Sequence, residues 1–237
     1  MKRNFAKPKR LLNKHYYINH FRIIVAGGRT GSFTVFMGEQ LNHTNGEIVY
    51  LDVNTASINI AQKRTKITGL RNIIWVHNWI EGVRFLGMGS FEELHCSCVL
   101  HHIKFPSYGL NILKDTLSEH GGMGLMVYGK YGRTSVYQMK DFLKMANTYQ
   151  SGIDRELNTA IYILHILPVR TWFILNPVVG DHKKGKIGLY DLLLHKRDVA
   201  FSIETLFQWI TNSGLYFLIM ITIKQDFIFK LDRSFLI

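Results

Sequence analysis

The chain has 237 residues, 47% of them hydrophobic, and a formal net charge of +12 at pH 7. This length and composition predict one sizeable α/β domain with an elaboration. A transmembrane span is not expected, because the longest apolar run, Leu215 to Ile223, is too short to cross a bilayer. The sequence shows no signal-peptide core, no internal repeat and no low-complexity segment.

The positive charge is concentrated at the N-terminus. Residues 1–20 form a predicted irregular basic arm, and the first carboxylate of the chain is Glu39. Such an arm suits an RNA, an anionic membrane surface or an acidic protein. Its only candidate stacking aromatics are Tyr16 and Tyr17, so we favour a solvated arm over a nucleic-acid interface.

A glycine-rich turn follows the first apolar segment. Ile23 to Ala26 form a short apolar run, GGRTG follows at residues 27–31, and apolar residues then recur at helical spacing from Phe33 to Leu41. This pattern predicts a buried strand, a tight turn and a helix N-terminus. Glycine permits a positive φ there, and the free N–H groups of the first helical turn suit an anion or a polar ligand. A tight turn without a ligand is the alternative.

An acidic residue ends the second predicted strand, EIVYLDV at residues 47–53. Asp52 lies roughly 20 residues beyond the glycine turn, where an acid binds ribose hydroxyls in nucleotide sites. An isolated aspartate at a strand end is more often a helix cap or a solvated group. Its combination with the glycine turn in one βαβ unit favours a cofactor that contains a nucleoside.

Strands and helices then alternate, which predicts a mostly parallel sheet covered by helices on both faces. The predicted elements are a helix capped by Asn54 or Thr55 and ending near Thr68, a third strand Asn72–Trp79, a fourth strand Leu94–Leu100, a helix that Pro106 begins, and a fifth strand Met123–Tyr128 after a turn at Gly121-Gly122.

Two cysteines, Cys96 and Cys98, lie in the fourth predicted strand. Residues two apart in a strand face the same side but are too far apart for an ordinary disulfide. No further ligand lies at metal spacing, so we predict no zinc site. The two cysteines fit a reducing, cytoplasmic setting.

The alternation stops at Gly129. Up to residue 202 the sequence predicts helices near 136–145 and 155–164, a link rich in proline and aromatic residues at 167–177, and a polar segment at 180–198. We interpret residues 129–202 as a helical cap inserted over the C-terminal edge of the sheet. Ser202 then caps a final helix, and Leu215–Ile223 and Phe227–Leu231 are two closing strands.

A glycine turn after the first strand, an acid at the end of the second and a terminal strand pair together resemble the class I S-adenosylmethionine-dependent methyltransferases. The segment VLHHI at residues 99–103 is similar to the sequence that follows the fourth strand in many of them. The resemblance implies that residues 21–237 form one methyltransferase domain with a Rossmann-like sheet. The sheet is expected to be mostly parallel, with about seven strands, the last antiparallel.

A narrower resemblance extends from Ile23 to Leu215. The segments that carry it are similar to a bacterial group of uncharacterised methyltransferases, sometimes fused to tetratricopeptide repeats: IIVAGGRTGS, IVYLDVNTASINIAQKR, VLHHIKFP, GGMGLMVYGKYGRTSVYQM and GDHKKGKIGLYDLLLHKRD. No such repeats occur in this chain. The sequence after Gly214 matches the group poorly.

The resemblance implies S-adenosylmethionine as the cofactor, bound over the C-terminal ends of the first strands. It assigns the methionine moiety to a glycine loop, the ribose to an acid, and the adenine and sulfonium to residues beyond the later strands. In this chain those residues are Gly27, Gly28 and Gly31 for the loop, Asp52 for the ribose, Val53 and Asn78 for the adenine, and Leu100 beside the sulfonium.

Candidate catalytic residues lie just beyond the strand ends, where a methyl acceptor approaches. Methyl transfer is an in-line displacement that depends mainly on positioning and water exclusion, and a base is needed only when the nucleophile carries a proton. The candidates are His101, His102 and Tyr131. Further candidates are Tyr128 and, in the cap, His182, Tyr190 and His195. A histidine pair more often serves packing, and the sequence does not identify the acceptor, whether small molecule or protein.

Arg29 departs from the family pattern, because it stands where the motif has its middle glycine. We expect the side chain to crowd the cofactor, and two other functions remain open. One is a catalytically degenerate methyltransferase fold that acts as a binding protein. The other is a NAD(P)-dependent oxidoreductase, which the absence of G-x-G-x-x-G spacing and of a Tyr-x-x-x-Lys pair disfavours.

Overall fold

The structure of the chain is a computed structural model, which describes residues 20–147, 152–177, 179–223 and 226–232. The predicted basic arm, up to residue 19, lies outside the described residues. Among the described residues, no helix has the length and apolar character needed to cross a membrane.

Seven strands of the described residues form a single sheet. They are β1 Arg22–Ala26, β2 Glu47–Asp52, β3 Ile73–His77, β4 Phe91–Ser97, β5 Leu117–Tyr128, β6 Tyr216–Ile223 and β7 Asp226–Asp232. Their order across the sheet is β3-β2-β1-β4-β5-β7-β6. Strands β1 to β5 pair in parallel, and β7 runs antiparallel to both β5 and β6. The predicted fold class, a mostly parallel sheet closed by an antiparallel last strand, is confirmed.

Within the described ranges, eight α-helices connect these strands. They are α1 Ser32–Leu41, α2 Thr55–Ile67, α3 Pro106–Asp115, α4 Thr134–Ala146, α5 Ile153–Ile166, α6 Trp172–Leu175, α7 Lys186–Leu189 and α8 Ile203–Asn212. Shorter turns of helix are Ile80–Phe85, Leu100–His102 and Asp181–Lys184, which are 3-10, and Tyr190–Leu194, which is a π-helix.

Two predicted helix caps are confirmed. The Asn54 side chain accepts hydrogen bonds from the first-turn amides of Ala56 and Ser57 and so begins α2. The Ser202 side chain accepts one from the amide of Thr205 and begins α8. Each cap satisfies N–H groups that have no partner inside the helix.

The described residues contain two main hydrophobic clusters. The larger one surrounds the sheet, and β1 and β2 are buried on both faces because helices cover both sides. The second cluster is formed by apolar side chains of the segment between β5 and α8, among them Val136, Leu157, Phe173 and Leu192. This segment therefore has a core of its own.

Three local predictions are wrong. Gly121-Gly122 lie inside β5 rather than in a turn, because β5 already begins at Leu117 and pairs with β4 past a register shift near Phe91. Cys98 lies beyond β4 with a positive φ of 60°, so it does not share a strand face with Cys96. The third strand is shorter than predicted and ends at His77.

Candidate cofactor and acceptor site

The turn after β1 has a backbone in which every second residue is left-handed. Gly27, Arg29 and Gly31 have φ angles of 72°, 52° and 76°. The amides of Gly27 and Gly28 both donate to the carbonyl of Leu51, at 2.8 and 3.2 Å, and so tie the turn to β2. The turn is thereby held at the C-terminal ends of β1 and β2, where open α/β sheets bind ligands.

The protein's own packing explains why glycine is needed at two places in this turn. A Cβ atom on Gly27 would lie 2.2 Å from the Val99 side chain, and one on Gly28 would lie 2.1 Å from the Tyr50 ring. Ligand approach is the reason that the sequence pattern suggests for these glycines. The structure provides a second reason, which is close contact with β2 and with the segment after β4.

Asp52 holds the turn through main-chain hydrogen bonds. Its Oδ2 accepts from the amide of Arg29 at 2.8 Å, and its Oδ1 accepts from the amide of Asn54 at 2.9 Å. The side chain is 8% exposed. A carboxylate has about four acceptor positions, so each oxygen keeps capacity for one more donor, such as a ribose hydroxyl.

Two further side chains fix the turn, and neither was predicted from the sequence. The Tyr50 hydroxyl donates to the carbonyl of Arg29. Burial and then the Asp52 carboxylate raise the pKa of Tyr50 well above its ordinary value, so the hydroxyl stays a donor. On the outer side, Arg64 Nη1 donates to the carbonyl of Thr30 at 2.8 Å and to Ser32 Oγ at 2.9 Å. No sequence motif marks Tyr50 or Arg64, because their role depends on the packing of β2 and α2 against the turn.

The predicted adenine-site residues lie next to Asp52. Val53 is 44% exposed, and its carbonyl is hydrogen-bonded to His77 Nε2 at 2.9 Å. The amide of Asn78 donates to the carbonyl of Asp52 at 3.2 Å, and the Asn78 side chain accepts from the amide of Trp79 at 2.8 Å. The ends of β2 and β3 therefore bring these three predicted residues together.

The segment after β4 places Leu100 and His101 inside the protein. Leu100 is part of the main core, so its main chain is the part that remains for a ligand contact. The ring of His101 is fully buried and stacks on the Tyr128 ring, with centroids 3.8 Å apart. Neither ring nitrogen of His101 has a hydrogen-bond partner among the described residues.

Burial lowers the pKa of His101 far below its ordinary value, so the ring is neutral at physiological pH. Electrostatic repulsion from neighbouring basic side chains lowers it further: His102, Arg133, His195 and Arg29. The Arg29 side chain is exposed, yet its charge reaches this histidine, which places a cation at the boundary between the glycine turn and the end of β4.

His102 is oriented by a main-chain carbonyl from the segment before α8. The Nδ1 atom of His102 lies 2.8 Å from the carbonyl oxygen of Arg197, and Nδ1 of His195 lies 2.6 Å from the same oxygen. A carbonyl only accepts, so His102 donates from Nδ1 and, in its neutral form, keeps Nε2 as an acceptor; Nδ1 of His195 also lies 3.2 Å from the amide of Arg197, which donates to it, so the carbonyl does not fix the tautomer of His195. The ring centroids of His102 and His195 are 4.3 Å apart. Burial lowers the pKa of His102, whereas the Arg197 carbonyl raises it.

Residues 195–201, here called the return segment, lie along the ends of β4 and β5. The amide of Val199 donates to the carbonyl of His101 at 2.9 Å. The amide of Phe201 donates to the carbonyl of Tyr128 at 2.9 Å, and the amide of Lys130 donates back to Phe201 at 2.8 Å. The polypeptide between β5 and α8 thus closes against the same sheet edge as the glycine turn.

A buried charge network anchors the return segment to α4. The Asp198 carboxylate is almost fully buried and accepts from Lys140 Nζ at 3.0 Å and from the Tyr137 hydroxyl at 2.9 Å. Arg133 Nη2 lies 3.7 Å from Asp198, and the Arg133 guanidinium stacks on the Tyr128 ring at 3.6 Å. No sequence pattern marks these four residues, because charged and polar side chains in a basic chain are normally solvated.

Of the remaining candidates, Tyr190 makes an edge contact with the His195 ring, whereas Tyr131 and His182 make no recorded ring contact with this cluster among the described residues. Tyr131 is 68% exposed. His182 packs on Phe173, with ring centroids 5.0 Å apart, and Tyr190 is 6.3 Å from His195 by the same measure. Within the described ranges, no group of three or more histidine, cysteine or acidic residues is positioned to hold a metal ion.

Solved structures that superpose on this chain include several methyltransferases. PKMT2 from Rickettsia typhi in complex with AdoHcy superposes with a TM-score of 0.65 at 11% identity, covering 91% of this chain and 49% of that chain. A SAM-dependent methyltransferase from Aquifex aeolicus and the magnesium protoporphyrin IX methyltransferase ChlM from Synechocystis with bound SAH each give 0.55 at 10% identity, covering 90% of this chain and 82% and 73% of theirs. The chain has the class I methyltransferase fold.

Sequence comparison adds a relative without a stated activity. An uncharacterised protein of Synechococcus sp. is 29% identical over 210 residues, which cover 83% of this chain and 48% of that protein. No protein-family model matches the sequence. The chain spans about half the length of this relative and of the Rickettsia PKMT2.

Proposed function

We propose that the chain is an S-adenosylmethionine-dependent methyltransferase. One observation carries the proposal: the left-handed glycine turn is bound to Asp52 at the C-terminal edge of a sheet with the methyltransferase strand order. The histidine segment after β4 lies at the same edge. Structures of similar fold were crystallised with S-adenosylmethionine (SAM) or with S-adenosylhomocysteine (SAH, also written AdoHcy), and they support this cofactor for the chain.

The proposed cofactor contacts follow from the accessible atoms. Asp52 would accept hydrogen bonds from the ribose hydroxyls, and exposed Val53 would lie beside the adenine, with Asn78 next to it. The turn formed by residues 27–31 faces the methionine moiety, and Leu100 contributes main-chain atoms. When bound, the cofactor supplies an electrophilic methyl group. The protein positions the acceptor in line with that group and excludes water.

His102 is the stronger candidate for a general base in this proposal. Its Nδ1 is fixed by the Arg197 carbonyl, which leaves Nε2 to accept a proton from the acceptor. His101 is fully buried and neutral, so it supports Tyr128 and His102 rather than meeting an acceptor. Exposed Tyr131 has the reach to contact an acceptor at the rim.

Residues 129–202 are proposed to act as the cap over the acceptor pocket. Their separate hydrophobic cluster and the hydrogen bonds of the return segment to the ends of β4 and β5 support this role. We also propose that the chain is related to the bacterial methyltransferases that are sometimes fused to tetratricopeptide repeats. We propose a cytoplasmic location as well. The acceptor is a small molecule or a protein. Nucleic-acid binding through the N-terminal arm is not favoured.

Isothermal titration calorimetry with SAM, SAH and NAD tests the proposal. We expect SAM and SAH to bind and NAD not to bind. Binding of NAD alone would indicate an oxidoreductase, and binding of none of the three would indicate a degenerate fold that acts as a binding protein. For a variant of Asp52, the matched control is Asp115→Asn, because Asp115 is an exposed aspartate at the end of α3 and we expect its replacement to leave the site unchanged.

A further inference from the structure

Four buried polar atoms that have no hydrogen-bond partner in the part of the chain that the structure describes cluster around the Tyr128 ring. His101 stacks on the Tyr128 ring, with both of its ring nitrogens unsatisfied. The Arg133 guanidinium lies over the same ring at 3.6 Å, with Nε and Nη2 unsatisfied among the described residues. Buried polar groups in native proteins are nearly always satisfied, so such a concentration indicates a polar ligand or an ordered water.

The two unsatisfied atoms of Arg133 form one edge of its guanidinium. The Nε–H and Nη2–H groups point the same way and are spaced to bind both oxygens of a carboxylate or phosphate. Arg22 shows this edge in use, because its Nε and Nη2 donate to Glu47 Oε1 at 3.1 and 3.0 Å. Arg133 is 1% exposed and presents the same edge without such a partner.

Asp198 does not occupy this edge. It lies 3.7 Å from Arg133 Nη2, which is an ion-pair distance without a hydrogen bond, and its two oxygens accept from Lys140 and Tyr137. Burial raises the pKa of Tyr137, whereas the charge of Arg133 and a side-chain hydrogen bond with it both act to lower that pKa. Two cations, buried Arg133 and partly exposed Lys140, therefore share one carboxylate in this network, and a buried charge is costly unless it is paired.

We propose that Arg133 is a binding residue for the oxyanion group of a ligand, with a carboxylate as the best fit to its free edge. The location beside the ends of β4 and β5 allows two sources: the methyl acceptor, or the carboxylate of the cofactor's methionine moiety. The existence of the oxyanion site does not depend on the proposed function, but the naming of these two sources rests on it. The edge is shielded from solvent in this structure, so entry of the ligand requires movement of neighbouring side chains.

NMR of the Arg133 side chain tests the site directly in the wild-type chain. The Nε–H signals of Arg133 and Arg22 are assigned by through-bond correlation to their backbone resonances in the wild-type chain, and that of Arg22 serves as the internal reference because its edge is already bound to Glu47. The probes are sodium acetate, sodium benzoate and inorganic phosphate, with benzamide as the neutral control. We expect a saturable shift of the Arg133 signal with at least one oxyanion or with SAH, and none with benzamide.

A second pair of ligands separates the two sources. SAH carries the carboxylate, whereas 5′-methylthioadenosine lacks it. If the cofactor is the source, SAH moves the Arg133 signal, and Arg133→Gln and Arg133→Lys weaken SAH binding at least tenfold while binding of methylthioadenosine is unchanged. If the acceptor is the source, SAH binds the variants and the wild type equally, and benzoate, acetate or phosphate moves the signal.

The two proposals fail in different ways. If SAH binds but neither it nor any oxyanion probe moves the Arg133 signal, the methyltransferase proposal stands and Arg133 is only a structural partner of Asp198. If an oxyanion moves the signal and SAH does not bind, the oxyanion site stands and the methyltransferase proposal falls. The wild-type spectra decide these outcomes even if both variants fail to fold.

Discussion

Replacing Asp52 by asparagine separates its structural role from its proposed role in ribose binding. The carboxylate accepts one main-chain hydrogen bond on each oxygen, from Arg29 at 2.8 Å and from Asn54 at 2.9 Å. Asparagine keeps the volume and one acceptor but places an NH₂ group against one of the two amide donors. A hydrogen bond to a charged group contributes about 1.5–3 kcal/mol, and an unsatisfied buried donor costs about 1–3 kcal/mol.

We therefore expect Asp52→Asn to lower the free energy of unfolding by about 2–3 kcal/mol in the absence of ligand. Urea denaturation followed by circular dichroism measures this quantity, with Asp115→Asn as the exposed control that should stay within about 0.5 kcal/mol of wild type. Calorimetry with SAH on the folded variant should then show binding weakened by about 1–3 kcal/mol, because the charged ribose acceptor is lost.

The two measurements test different statements. An unfolding free energy equal to that of wild type would refute the reasoning that Asp52 holds the turn. An unchanged SAH dissociation constant would remove Asp52 from the proposed cofactor site, even if the stability loss is observed. A loss of stability together with a loss of affinity is the result that both roles require.

Three further predictions concern the turn, the buried histidines and the charge network. Arg29→Gly should tighten SAH binding, because it removes a side chain and a cation from the position of the motif's middle glycine. The change also relieves a left-handed non-glycine residue, which costs about 1–2 kcal/mol. Weaker SAH binding by the variant would instead make Arg29 a ligand of the cofactor. Stability should fall as pH decreases below about 6.5, the unfolded-state value of histidine, because burial lowers the folded-state pKa of His95 to about 4 and that of His101 further, so that the unfolded chain binds more protons. Each of the two rings should lower the free energy of unfolding by about 2 kcal/mol at pH 5 relative to pH 7.5. Urea unfolding at both pH values should therefore show that His95→Gln loses about 2 kcal/mol less on acidification than the wild type does. An equal loss in the variant and the wild type would contradict a neutral His95 ring. Asp198→Ala should lower the unfolding free energy by about 3–5 kcal/mol, since it leaves buried cations such as Lys140 without their carboxylate; thermal and urea unfolding measure this, and a change below about 1 kcal/mol would show that the network does not anchor the return segment.

The sequence was enough to predict the sheet and its ligand-binding edge. Periodicity separates strands from helices, the alternation requires parallel crossovers, and the positions of the glycine turn and Asp52 follow from where their strands end. Helix caps were readable at Asn54 and Ser202 because a cap depends on local hydrogen bonds. Local errors arose where a partner strand decides the outcome, as at Gly121-Gly122, which pairing with β4 draws into β5.

Tertiary structure decided which candidate residues meet. His101 and His102 are neighbours in sequence, yet one is buried against Tyr128 and the other is oriented by a carbonyl 95 residues away. Arg133 and Asp198 carry no sequence signal, because a charged residue is read as solvated unless the fold buries it. Contacts across such separations depend on how the segment between β5 and α8 closes over the sheet. Local sequence patterns do not encode that closure, since it is the packing of a separate core that produces it.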